Sequence, residues 1–147
     1  MHPAYSVIIF TTISGAGYGL LLLTTLGLAL GMLGLSPLFM LVLLGISLTL
    51  VTIGLFSSMT HLGHPERAWR AISQWRSSWL SREGLFALLT YSPSGLLGLT
   101  YVFGIMTELR PALAIITAIL ALITVYCTGM IYASLRTIRA CLLYTSD

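Results

Sequence analysis

The sequence predicts an all-α, polytopic integral membrane protein: four transmembrane helices in an antiparallel bundle, with a short interfacial helix between the second and third. Three observations carry this. Of 147 residues, 57% are hydrophobic and 7% are charged, against about 25% charged in a soluble domain. The apolar residues fall into four runs, each near the roughly 20 residues that cross about 30 Å of hydrocarbon. One long polar interval, Thr60 to Gly84 (THLGHPERAWRAISQWRSSWLSREG), divides the runs two and two. It holds two of the three histidines, all three tryptophans and four of the seven arginines. So much apolar surface cannot be hidden from water in a chain this short, so most of it must face lipid.

The first span, residues 5–30, is too long for a signal-peptide core and lacks a basic start, so cleavage is not expected. Gly15 and Gly19, and again Gly27 and Gly31, form small-xxx-small pairs that let helices approach closely; making room for a flat ligand is the alternative use. Pro37 can open the second span, residues 38–60, as its first helical residue. Spans one and two carry no charged residue, and span three carries none after Glu83. Ion and proton pumps need buried ionisable groups, which counts against a transporter or channel.

After His61 the pattern changes. Gly63 can end a helix and Pro65 can begin the next, a short one reaching about Trp75. Trp69, Ile72, Trp75 and Trp79 would share one face, with Arg67 and Arg70 opposite: an amphipathic helix lying in the interface. Ser77 and Ser78 can break it, which leaves the register beyond Trp75 open. Ser81 is placed to cap the third span, residues 83–106, with Glu83 in its first turn answering the helix dipole. Pro93 should kink that span, with Ser92 or Ser94 helping to satisfy the freed backbone. Thr107 to Arg110 reads as a tight turn, and Pro111 opens the fourth span, residues 111–135. The membrane-anchor domain so defined covers residues 1–139. The tail at 140–147 (ACLLYTSD) carries no boundary chemistry.

Four alternating spans put the N-terminus, the 61–82 segment and the end of span four on one membrane face. That face collects His2, His61, His64, every tryptophan and six of the seven arginines. The positive-inside rule would make it cytoplasmic, but a surface that docks another subunit would also gather arginines. Boundary arginines of this kind do not call for a nucleic-acid partner. Two cysteines without a CxxC spacing, and no mid-span histidine, argue against this chain ligating an iron–sulfur cluster or a b-type haem.

His61 would end one span where Glu83 begins the next. An imidazole beside a carboxylate can take up protons one at a time near neutral pH, which quinol oxidation requires. Aromatic residues offer a flat, lipid-soluble ring a wall, and arginine can steady an anion. Each residue has a plainer reading: His61 as an interfacial anchor, His64 as a helix cap, Glu83 as a dipole partner, the tryptophans as an aromatic belt.

Three stretches, HPAYSVIIFTTISGAGYG, SSMTHLGHPERAWRAISQWRSSWLSRE and VYCTGMIYASLRTI, give the chain its wider likeness. In that order it resembles the membrane-anchor subunit of anaerobic dimethyl sulfoxide reductase, the DmsC family. The resemblance implies an eight-span, haem-free anchor in a bacterial cytoplasmic membrane. Such an anchor oxidises menaquinol and passes electrons to an iron–sulfur subunit, which serves a molybdopterin catalytic subunit. It places the quinol-site histidine of the HLG motif at His61 and the associated glutamate of the LS-x-E motif at Glu83. His64 and Arg67 are weaker candidates for quinol contact. It further implies that four spans are the N-terminal half of a longer protein and that ACLLYTSD is foreign to the family. A purely structural anchor that only docks partner subunits remains the alternative function.

Overall fold

The computed structural model describes residues 3–60, 64, 66 and 68–134. Helix α1 runs Pro3–Ala29, α2 Pro37–Met59, α3 Ala68–Ser73, α4 Trp79–Phe103 and α5 Arg110–Ser134. No strand occurs among the described residues. Four of the helices, α1, α2, α4 and α5, are long and apolar enough to cross a membrane.

Local chemistry sets most of the boundaries. Ser36 caps α2 through its hydroxyl, which accepts from the Phe39 backbone N–H at 3.4 Å, and Pro37 follows as the first helical residue. Gly31 takes φ 66° in the turn after α1, and Gly104 takes φ 64° as the left-handed cap of α4. Both are conformations that a residue without a Cβ enters at little cost. A 3-10 turn, Thr107–Leu109, leads into α5. There Arg110 reaches back, donating from Nη2 to the Thr100 carbonyl at 2.8 Å while its guanidinium lies 4.0 Å from the Tyr101 ring centre. It thereby occupies a carbonyl near the end of α4. α4 runs unbroken through Pro93, and Ser94 donates to the Thr90 carbonyl at 2.6 Å.

Around the start of α4 the structure departs from expectation in its cap and in the helix before it. The α4 helix starts at Trp79, and its cap position is Ser78, not Ser81. The aromatic face 69–79 is not one helix, because α3 ends at Ser73 and a turn follows. The turn is held by Arg82, whose Nε donates to the Trp75 carbonyl and Nη2 to the Arg76 carbonyl, each at 2.9 Å. Trp79 belongs to α4, edge-on to Tyr126 with ring centres 6.3 Å apart.

The α1 helix packs against α2 and α5, and α4 packs against α5 and α2, closing a four-helix ring. Neighbours are antiparallel: Ser14 meets Gly54 while Gly17 meets Val51. Between α1 and α2 the close-packed glycines are therefore Gly17 and Gly54, while Gly27 is closely covered by the Leu33 side chain. At Gly54 a Cβ would lie 2.6 Å from the Ser14 Cβ, whereas Gly15 and Gly19 have nothing within 4 Å. The outer surface is leucine, isoleucine, valine and phenylalanine, while the interior holds Ser14, Thr25, Ser47, Thr90, Ser94, Thr117 and Thr124. Lipid supplies no hydrophobic drive between helices, so small side chains that allow close contact go inside. Their hydroxyls bond back to their own helix, as Thr117 does to the Leu113 carbonyl and Thr124 to the Leu120 carbonyl, both at 2.8 Å.

Candidate functional site

Because α4 begins four residues earlier than Glu83, that carboxyl stands in the second helical turn, not the first. The helix dipole acts mainly on groups in the terminal turn, so it does not account for an acid here. Glu83 points into the bundle and is 4% exposed. Thr128 of α5 donates to its Oε1 at 2.6 Å. The same Thr128 oxygen lies 3.0 Å from the Thr124 carbonyl. One hydroxyl proton cannot fully serve both acceptors. With Glu83 ionised, Thr128 donates to the carboxylate; with Glu83 protonated, the acid O–H can donate to Thr128, which then donates to Thr124. The threonine fits both states of the acid without moving a heavy atom.

Glu83 also lines a cleft of about 340 Å³. Phe10 of α1, Leu55 and Met59 of α2, Ile72 of α3, and Leu80 and Leu88 of α4 make its apolar walls; Ser58, Ser81 and Glu83 are its polar groups. Cofactor and substrate sites are commonly concave, about 300–1,000 Å³, mostly apolar and marked by a few placed polar groups. An ionisable group inside a membrane bundle is a functional candidate by default. The cleft can take a flat apolar ring and offer its oxygen a proton acceptor.

Of the candidate residues in the sequence, Glu83 sits on this cleft. His61 and Arg67 lie outside the described residues, as do His2 and the 140–147 tail. His64 is exposed, its Nδ1 2.9 Å from Glu66 Oε1, and is not among the residues that line the cleft. The arginines pair with tryptophans: Arg70 over Trp69 at 5.2 Å, Arg76 over Trp75 at 5.4 Å and Arg82 over Trp79 at 4.4 Å. Thr128 and Ser58 are not among the sequence candidates. A signal for Thr128 does exist: Ala114, Thr117, Ala121, Thr124 and Thr128 recur every three or four residues and mark one small-residue stripe along α5.

A family model described as DMSO reductase anchor subunit (DmsC) matches residues 1–142. A relative from Allochromatium vinosum, named as a subunit of sulfite dehydrogenase, is 36% identical over 151 residues, covering 92% of this chain. The chain spans 46% of that relative's length. No solved structure matches.

Proposed function

This chain belongs to the DmsC family of DMSO reductase anchor subunits, and from that premise we propose that it is the quinol-oxidising membrane part of a molybdoenzyme complex. The observation that carries the proposal is the buried Glu83 carboxyl on the wall of an apolar cleft. Menaquinol, a flat hydrophobic ring with two hydroxyls, would enter that cleft from lipid. Its oxidation yields the quinone, two protons and two electrons. The Glu83 carboxylate takes one proton at Oε, and Thr128 turns its own hydroxyl from Glu83 to the Thr124 carbonyl. His61, which lies at the start of the same polar interval, is the proposed acceptor of the second. The electrons leave to an iron–sulfur subunit docked on the histidine- and arginine-rich face, and through it to a molybdopterin subunit that reduces the terminal acceptor. The location that fits is a bacterial cytoplasmic membrane.

A second reading has one observation of its own. The relative is named as part of a dehydrogenase, and the same site run in reverse would reduce a quinone, with Glu83 giving a proton to it. Steady-state assays of the membrane-assembled complex with quinol and with quinone as substrate separate the two directions.

The test of the site is Glu83→Gln and His61→Ala in that complex. Quinone-linked electron flow should fall about 100-fold or more in either variant, the usual scale for losing a positioned proton acceptor, with the complex still assembled. Saturable binding of a fluorescent quinol analogue should weaken in parallel. Unchanged flow and binding would leave a purely structural anchor.

A further inference from the structure

On α4, Leu80, Gly84 and Leu88 all line the Glu83 cleft. Their four-residue spacing puts the three on one face of the helix. The glycine therefore leaves a notch between two leucines whose Cα positions stand about 12 Å apart along the axis, at 1.5 Å per residue. Gly84 lies inside α4, where glycine is a poorer helix former than alanine. Packing accounts for the missing side chain at Gly17, Gly27 and Gly54, where an added Cβ would come within 3 Å of a neighbour. A left-handed backbone accounts for Gly31 and Gly104. Neither reason applies at Gly84: its backbone is helical, and a Cβ added there would meet no atom within 4 Å. Gly95 of the same helix also faces open space, but it is exposed and is not among the residues that line the cleft. At Gly84 the open space is the cleft itself. Leu80 and Leu88, the flanks of the notch, are each 54% exposed, so the notch is open to lipid along its outer edge. Phe10, Leu55 and Ile72 bring α1, α2 and α3 to the same cleft.

We propose that Gly84 is the seat of the quinol ring, which lies in the notch against bare helix backbone between Leu80 and Leu88. The proposal rests on the quinol reading above and adds which residue makes room for the ring. Atoms that face an empty notch lack dispersion partners on that side, and a flat ring supplies them; each contact is small and the sum is large. A side chain at position 84 would stand where the ring must stand. Glu83 precedes Gly84 by one residue and turns into the bundle. A ring seated on Gly84 therefore has the acid beside its inner edge, while its outer edge and tail stay towards lipid. Gly84 performs no chemistry. It is a specificity-determining residue, because the room it leaves sets the size of ring that can reach the acid. A fused two-ring quinol such as menaquinol needs more of that room than a single-ring benzoquinol.

The experiment uses the complex assembled in its membrane, with turnover measured for a two-ring naphthoquinol and a single-ring benzoquinol that carry the same tail. Gly84→Ala should raise KM for the naphthoquinol about tenfold or more, the scale of one carbon in an apolar pocket, with kcat within about twofold. Gly84→Leu makes the leucine row continuous and should raise KM further. The rise should be smaller for the benzoquinol in both variants. Titration of the fluorescent quinol analogue should weaken in the same order. Gly95→Ala, away from the cleft, should leave both KM values within about twofold. If the leucine variant fails to assemble, Gly84→Ala decides the matter, since alanine is the better helix former and meets no neighbour. An unchanged KM in Gly84→Ala would overturn the seat and leave the notch to lipid chains. Equal losses for the two rings, which a general disturbance of the bundle produces, would overturn it too, as would a fall in kcat alone. Glu83→Gln in parallel separates the failures. If it abolishes turnover while Gly84→Ala is silent, the seat alone is wrong; if it too is silent, the quinol reading is wrong.

Discussion

Glu83 is an acid with a direct partner in Thr128 and little solvent around it. That combination suits a group which changes protonation during turnover. Its geometry makes chain length as important as charge. Glu83→Asp retains a carboxyl but withdraws it by one methylene, out of the 2.6 Å bond to Thr128. Reacting groups misplaced by about 1 Å can cost 10²-fold, so quinol turnover in Glu83→Asp should fall nearly as far as in Glu83→Gln. An aspartate variant with full activity would show that the carboxyl acts only as a charge. Glu83 also marks how far a sequence can be read at a single residue. Its position in a polar interval flanked by spans is visible in the sequence. Its partner is not, because Thr128 is 45 residues away and its bond depends on how α4 and α5 face each other.

The helices are matched by where they lack side chains. Gly54 of α2 accepts the Ser14 side of α1, and Gly17 of α1 accepts the backbone of Val51, where an added Cβ would stand 2.8 Å from the Val51 nitrogen. Overpacking of this kind costs about 1–3 kcal/mol. Gly54→Ala and Gly17→Ala should therefore lower the thermal unfolding midpoint of the detergent-solubilised protein. Gly15→Ala and Gly19→Ala meet open space and should be neutral or stabilising, since alanine exceeds glycine in helix propensity by up to about 1 kcal/mol. The reverse ranking would contradict the α1–α2 register. In the turn before α4, Arg82 holds two carbonyls and lies over Trp79. Arg82→Ala should lose roughly 1 kcal/mol and speed protease cleavage near Ser77. Arg82→Lys should not restore it, because an ammonium lacks the planar fork that reaches both acceptors.

For the bundle as a unit, antiparallel packing puts Glu66 on the opposite end from Met32 and Glu108. All three positions are exposed. In a Cys141→Ser background, Glu66→Cys should react with a membrane-impermeant maleimide from one side. Met32→Cys and Glu108→Cys should react from the other; labelling of all three from one side would exclude four spans. The cleft is walled by α1, α2, α3 and α4, and α5 supplies the Thr128 bond to its Glu83. Sites formed this way need every helix of the ring, so loss of any one span should abolish quinol-analogue binding together with turnover.

Composition and spacing are enough to establish lipid as the solvent, the number of membrane-length helices, the proline that opens α2 and Glu83 as the one acid within a span. These are local properties: mean hydropathy over about 20 residues and the backbone preference of Pro. The start of α4 at Trp79 is not legible there, because Arg82 captures the carbonyls of Trp75 and Arg76 and so ends the turn four residues before Glu83. Nor, apart from the small-residue stripe of α5, is the inward face of each helix. Spans that are apolar all round carry almost no moment to read, and in lipid the choice falls on small and hydroxyl residues that fit against a particular neighbour. Thr128 against Glu83, Gly54 against Ser14 and the buried Tyr18 hydroxyl exist only once four helices meet, since each depends on contacts between residues far apart in the chain.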